Sequence, residues 1–145
     1  MKISIANDHN GVLIKNIIKE YLENLGYEVI DFGSNDNMSV DYPNFAFKVG
    51  KSVASKDTDL GILICGTGIG MSIACNKVRG IRCAKVSNVE EAKLSKQHNN
   101  ANVIALSSHL SNTEIKEIVK TFVETDFSNE ERHIRRNGLI DNYRD

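Results

Sequence analysis

Cys65 closes the apolar run Leu60-Gly61-Ile62-Leu63-Ile64 and is followed at once by Gly66-Thr67-Gly68-Ile69-Gly70-Met71-Ser72. The order reads as a buried strand, a glycine turn and a helix. A thiol at such a junction faces a helix N-terminus, where unpaired N–H groups and the helix dipole favour the thiolate and any nearby oxyanion. The pattern is that of a base beside an anion-stabilising loop. Glycines at 66, 68 and 70 leave backbone N–H groups bare, which suits a small anion or an enediolate better than a long cofactor. Two nucleotide motifs fit poorly. A P-loop needs a lysine that is missing here, and G-x-G-x-x-G needs glycine where Met71 stands, in a turn that follows the third strand instead of the first.

Other chemically able residues have plain structural readings beside them. Asp8 is a candidate acid or base, yet aspartate is also a common helix cap and His9 a common loop residue. His98 stands near a helix C-terminus, where an imidazolium also favours the dipole. Cys75 and Cys83 read as small core residues without chemistry. After Phe127 the segment Ser128-Asn129-Glu130-Glu131-Arg132-His133-Ile134-Arg135-Arg136 carries two arginines four apart, which share one face of a helix. Two guanidinium forks on one face suit a phosphate, and the alternative is a solvated charged helix. Ile134, Leu139, Ile140 and Tyr143 suggest that this tail, residues 127–145, packs on something, such as a neighbouring subunit.

The elements that must position these residues alternate between short apolar runs and helical patterns, the signature of βαβ units around a parallel sheet. Strands are expected at Ile3–Ala6, Tyr27–Phe32, Leu60–Cys65, Ile81–Val86 and Asn102–Leu106. Leu13, Ile14, Ile17, Ile18, Tyr21, Leu22 and Leu25 recur at helical spacing, with Gly26 at the C′ position. Further helices are expected from near Pro43 to Ala54, over Ser72–Lys77, Val89–Gln97 and Thr113–Glu124. Right-handed crossovers then give a three-layer αβα sandwich, with strand order 2-1-3-4-5 as the expectation. Ligands of such sheets bind at the carboxyl ends of the strands. That rule gathers Asn7-Asp8-His9, Gly33 to Tyr42, Cys65-Gly66-Thr67 and Ser107-Ser108-His109 into one site. His98-Asn99-Asn100 falls at the opposite end and reaches that site only from a partner subunit or by an unusual geometry.

Composition narrows the class further. The chain has 145 residues, a formal net charge of −1 and three cysteines without C-x-x-C spacing. A single domain of this size buries about 68–70% of its unfolded surface, so no disulfide or zinc staple is needed. A reducing cytoplasm fits. No run approaches the roughly 18 apolar residues of a membrane span, and the charge balance argues against general nucleic-acid binding.

Taken together, Asp8-His9, Ser39-Val40-Asp41-Tyr42-Pro43, Gly61 through Gly70, Ala74-Cys75-Asn76-Lys77-Val78, Gly80-Ile81-Arg82, His98 through Val103 and Arg132-His133 resemble ribose-5-phosphate isomerase type B. That family also holds galactose-6-phosphate and allose-6-phosphate isomerases. The resemblance is collinear over nearly the whole chain. It implies a flavodoxin-like αβα sandwich and a homodimer, sometimes a tetramer, with active sites between subunits, His98 being donated across the interface. It further implies interconversion of D-ribose 5-phosphate and D-ribulose 5-phosphate without cofactor or metal. Cys65 would be the proton-transfer base, with Thr67, His98 and Asp8 assisting ring opening and the turn from Gly66 through Gly68 to Gly70 holding the oxyanion. Asn99 would hold sugar hydroxyls, Tyr42 line the pocket, and His9, Arg132, His133 and Arg136 grip the phosphate. A branch of the family uses a carboxylate at the position of Met71, so this chain sides with the thiol users. The loop after the fifth strand commonly carries arginine where this chain has His109, a departure that bears on substrate preference.

Overall fold

Uninterrupted apolar runs make the inner strands of this protein, because a parallel sheet covered by helices on both faces must bury both sides of each strand. The computed structural model describes residues Met1–Asp145. Five parallel strands, β1 (Lys2–Asn7), β2 (Glu28–Asp31), β3 (Leu60–Cys65), β4 (Cys83–Lys85) and β5 (Val103–Ser107), alternate with α1 (Val12–Asn24), α2 (Tyr42–Ala54), α3 (Ile69–Cys75), α4 (Val89–Asn99) and α5 (Asn112–Glu124). A sixth helix, α6 (Glu131–Asn142), ends the chain. No helix is long and apolar enough to cross a membrane.

The strand order is 2-1-3-5-4, which corrects the expected 2-1-3-4-5. Burial explains the exchange. In β5, Val103 to Leu106 are all fully buried, whereas β4 is three residues long and ends on the exposed Lys85. A strand with two apolar faces belongs inside the sheet and a short, charged one at its edge. The chain therefore runs outward from β3 to β4 and doubles back to β5. Since each crossover is right-handed, this reversal puts α4 on the opposite face from α3.

One face of the sheet packs Ile3, Ile5, Ile62, Ile64, Ile104 and Leu106 against α1, α4 and α5; Ile18, Leu22, Ile118 and Phe122 are fully buried there. The other face is built from smaller residues, among them Ala6, Leu63, Cys65 and Ala105, against Val49, Met71 and Cys75 of α2 and α3. Helix α2 lies close to the sheet: a Cβ on Gly61 would stand 2.5 Å from Val49. Gly26, at φ +95°, follows the C-cap of α1, and the Tyr27 N–H donates back to the Leu22 carbonyl at 3.1 Å. This is the glycine stop anticipated from sequence. At α5 the Ser111 hydroxyl and the Glu114 side chain form a capping box. Helix α3 begins at Ile69, three residues ahead of the expected Ser72, so the glycine turn is tighter than the sequence suggests.

Candidate active site

The glycine turn after β3 is built around the sulfur. The Gly68 N–H donates to Cys65 Sγ at 3.1 Å, and the Ile69 N–H donates to Thr67 Oγ1 at 3.1 Å. Gly68 sits at φ +81° with a virtual Cβ 3.1 Å from the Leu106 backbone, so only glycine fits that step. With two N–H groups so committed, those of Gly66, Thr67, Gly70 and Met71 have no acceptor within the protein. They are the free donors of the turn, whereas Gly68, expected to face an oxyanion, turns its N–H to the thiol. Cys65 lies on the sheet face covered by α2 and α3 and is buried. Tyr42, the first residue of α2, lays its ring across the turn: a Cβ on Gly70 would come within 2.5 Å of its hydroxyl.

Asp8 is next to this turn, its N–H donating to the Ile64 carbonyl at 3.0 Å. Its carboxylate accepts from the Asn10 backbone N–H at 2.9 Å and from Asn10 Nδ2 at 3.4 Å, capping the short 3-10 turn His9–Gly11 that leads into α1. The capping reading of Asp8 thus holds, and the cap itself aims Asn10 at the glycine turn, 3.7 Å from a virtual Cβ on Gly66. His9 Nδ1 is buried without a partner. From β5, Ser107 Oγ donates to the Gly66 carbonyl at 2.7 Å and accepts from the His109 N–H at 3.1 Å. Asp8, His9, Tyr42, Cys65, Gly66, Thr67, Gly68, Gly70 and His109 therefore all belong to the carboxyl edge of the sheet.

The other candidates lie elsewhere. His98 ends α4 and stacks on His133 of α6, ring centroids 4.3 Å apart and planes 16° from parallel. Burial first, and then the adjacent His98 and Arg132 charges, hold the His133 pKa below the usual 6.5. Its Nε2 has no partner. Asn99 Nδ2 donates to Asn137 Oδ1 at 3.3 Å. Arg132 is exposed and pairs with Glu130 at 3.3 Å, and Arg136 is exposed one turn on. This second cluster lies at the amino end of the strands, about 13–17 Å of strand away from Cys65 at roughly 3.3 Å per residue. Within one chain the two clusters do not meet. The largest cleft, about 800 Å³, opens along the β4 edge beside Asn99, Ile140 and Asp141, and neither Cys65 nor Asp8 lines it.

Two polar residues at these sites escaped the sequence. Lys15 of α1 is fully buried, donating to the Ser34 carbonyl at 2.8 Å and Asn35 Oδ1 at 2.5 Å and pairing with Asp31 at 3.2 Å. It ties down the loop that leads from β2 to Tyr42. A lysine on the apolar stripe of α1, beside Ile14 and Ile18, was its only signal. Asn137, the other, had none. Of the two remaining cysteines, Cys83 bonds toward Cys75; this contact and then burial raise its pKa well above the ordinary 9.0, so it stays a thiol.

A parallel αβα sandwich with a thiol, a carboxylate and a glycine turn at its carboxyl edge defines a class of small α/β proteins that bind anionic substrates outside the strand ends. Residues 3–140 match the model of the Ribose/Galactose Isomerase family. The chain belongs to that family. It is 46% identical, over 99% of its length and 97% of the relative's, to the putative sugar phosphate isomerase YwlF of Bacillus subtilis. The solved ribose 5-phosphate isomerase of Thermotoga maritima superposes with a TM-score of 0.94 at 45% identity, 98% of each chain being covered. Ribose-5-phosphate isomerase B of Mycoplasma genitalium, solved with bound ribulose-5-phosphate, superposes at 0.93 with 44% identity, over 98% of this chain and 95% of that one.

Proposed function

We propose that the protein is an aldose–ketose isomerase that interconverts D-ribose 5-phosphate and D-ribulose 5-phosphate, and that its working site joins the Cys65 edge of one protomer to the His98 and α6 cluster of a partner. The observation that carries the reading is the Cys65 sulfur held by the Gly68 N–H at 3.1 Å in a turn whose Gly66, Thr67, Gly70 and Met71 N–H groups have no acceptor in the protein. Family membership supports the reaction class.

Ring opening comes first. A proton leaves the C1 hydroxyl and another reaches the ring oxygen, with Asp8 and Thr67 at the edge and the partner's imidazole as acid. The Cys65 thiolate then takes the proton from C2, the electron pair moves into a C1–C2 double bond, and the C1 carbonyl oxygen becomes the enediolate oxyanion. The free N–H groups of Thr67 and Gly70 offset that charge where it develops. A proton then passes from the C2 hydroxyl to the C1 oxygen, and returning the proton from sulfur to C1 while the C2 carbonyl forms yields the ketose. Asn99 holds hydroxyls, while His9, Arg132, His133 and Arg136 hold the phosphate and His109 flanks the sugar. No electron leaves the substrate. Residues 1–145 act as one isomerase domain with no metal or cofactor, in a reducing cytoplasm that keeps Cys65 free.

The isomerisation is tested by incubating purified protein with ribose 5-phosphate and quantifying ketose, in parallel with allose and galactose 6-phosphates. Ketose from the pentose phosphate is the expected result. Preferential turnover of a hexose phosphate would make it an allose- or galactose-6-phosphate isomerase, and His109 in the loop after β5 is the departure that bears on that preference. Binding of mononucleotides without any turnover would make it a non-catalytic phosphate-binding module.

A further inference from the structure

Arg82, the residue before β4, engages every nitrogen of its guanidinium. Nε donates to the Asn99 carbonyl at 2.8 Å, Nη2 to the Asn100 carbonyl at 3.0 Å, and Nη1 to both carboxylate oxygens of Asp141 at 2.7 and 2.6 Å. Its backbone N–H is held by Asn102 Oδ1 at 2.9 Å. The two carbonyls are among those left without helical partners at the end of α4, where Asn100 turns left-handed at φ 44°. One planar fork thus joins the last turn of α4 to α6.

Helix α6 has little else to fix it on its own protomer. Only His133 and Asn137 of this helix are buried, while Ile134, Leu139 and Ile140 are exposed. Its remaining ties are polar or aromatic: Asn137 Nδ2 donates to the His98 carbonyl at 3.0 Å, Asn137 Oδ1 accepts from Asn99 Nδ2 at 3.3 Å, and the two imidazoles stack. An isolated surface ion pair contributes little to stability. Here Nη1 contacts both carboxylate oxygens while Nε and Nη2 hold two helix-terminal carbonyls, a planar three-nitrogen arrangement lysine cannot reproduce.

We propose that Arg82, acting through Asp141, is a positioning residue for phosphate recognition: it locks the end of α4 and α6 into one unit, so that His98 and the arginines Arg132 and Arg136 stand at a fixed separation. Neither Arg82 nor Asp141 touches substrate. The inference rests on the isomerase reading and deepens it, because it names what sets the grip on the phosphate.

The test uses Asp141→Asn and Arg82→Lys in the full-length enzyme. Each is expected to raise KM for ribose 5-phosphate roughly tenfold, the scale of a lost charge-assisted hydrogen bond, with kcat held near wild type. Inhibition by inorganic phosphate should weaken by a similar factor. Inhibition by ribonate, a five-carbon carboxylate without phosphate, should not. The double variant should lose no more than either single one, since the two residues act as a unit. Wild-type KM and phosphate inhibition in both variants would overturn the proposal, as would equal weakening of phosphate and ribonate, which marks a merely structural role. Should the wild-type protein itself fail to isomerise, the isomerase reading falls. The clamp is then judged by titrating inorganic phosphate directly into the wild-type and variant proteins, equal affinities overturning it.

Discussion

The thiol of Cys65 has a backbone N–H donor aimed at it, that of Gly68 at 3.1 Å. Cys83 is held protonated by Cys75 and by burial, and the proposed function gives the base role to Cys65. Cys65→Ala is expected to lower kcat by about 10²–10⁴, the usual loss when a positioned acid or base is removed. Cys65→Ser, which keeps the volume and offers a far weaker acid, should be nearly as slow. Steady-state turnover with matched circular dichroism spectra checks both, and substantial residual kcat in the alanine variant would move the base to another group. Only the thiol among these features was conspicuous from sequence. The role of the Gly68 N–H was not, because the glycine spacing does not say which N–H of a turn faces the sulfur and which faces substrate.

Two helices carry titratable groups that link their stability to pH, each in acid. At α5 the Glu114 carboxylate accepts from the Ser111 backbone, and this bond and the one from the Ser111 side chain hold its pKa below the ordinary 4.5. A depressed carboxyl pKa contributes stability above its unfolded value and loses it as pH falls through the folded one. Glu114→Ala should therefore lower the melting temperature at pH 7, with the gap to wild type closing below about pH 4. A gap independent of pH would remove the charge from the explanation. At α6 the His133 pKa is also depressed, by burial first and by His98 next. Its neutral form stabilises the folded state above the ordinary 6.5, and that stability disappears as pH falls below it, when a second cation would press against the stacked His98. Hydrogen exchange in α6 is expected to quicken, relative to α5, between pH 7.5 and 5.5, beyond the intrinsic pH effect. Unchanged relative protection would detach His133 from the docking of that helix.

Across the whole molecule, the Cys65 edge and the His98 cluster stand at opposite ends of the sheet, so a site using both requires two chains. In a symmetric dimer each site then takes one half from each protomer. Mixing inactive Cys65→Ala with inactive His98→Asn after subunit exchange should restore about a quarter of wild-type activity, since half of randomly paired dimers are mixed and each has one intact site. Neither parent recovers alone. A mixture that stays inactive while size measurements show exchange would return the complete site to a single chain.

What the sequence determined by itself is local: the alternation of strand and helix, the glycine stop at Gly26, and the thiol followed by a glycine turn. Each depends on residues within a few positions of one another, where hydrophobic period and backbone preference act directly. The tertiary structure alone decided which strand lies inside. The exchange of β4 and β5 was legible only as a comparison, the unbroken Val103-Ile104-Ala105-Leu106 against a short run ending in Lys85, and it placed α4 on the other face. It also decided the long-range polar ties, Arg82 to Asp141 across 59 positions and Lys15 to Asn35 across 20. A charged side chain shows its partner only when the chain has folded around it, because burial, not sequence spacing, is what makes the pairing necessary.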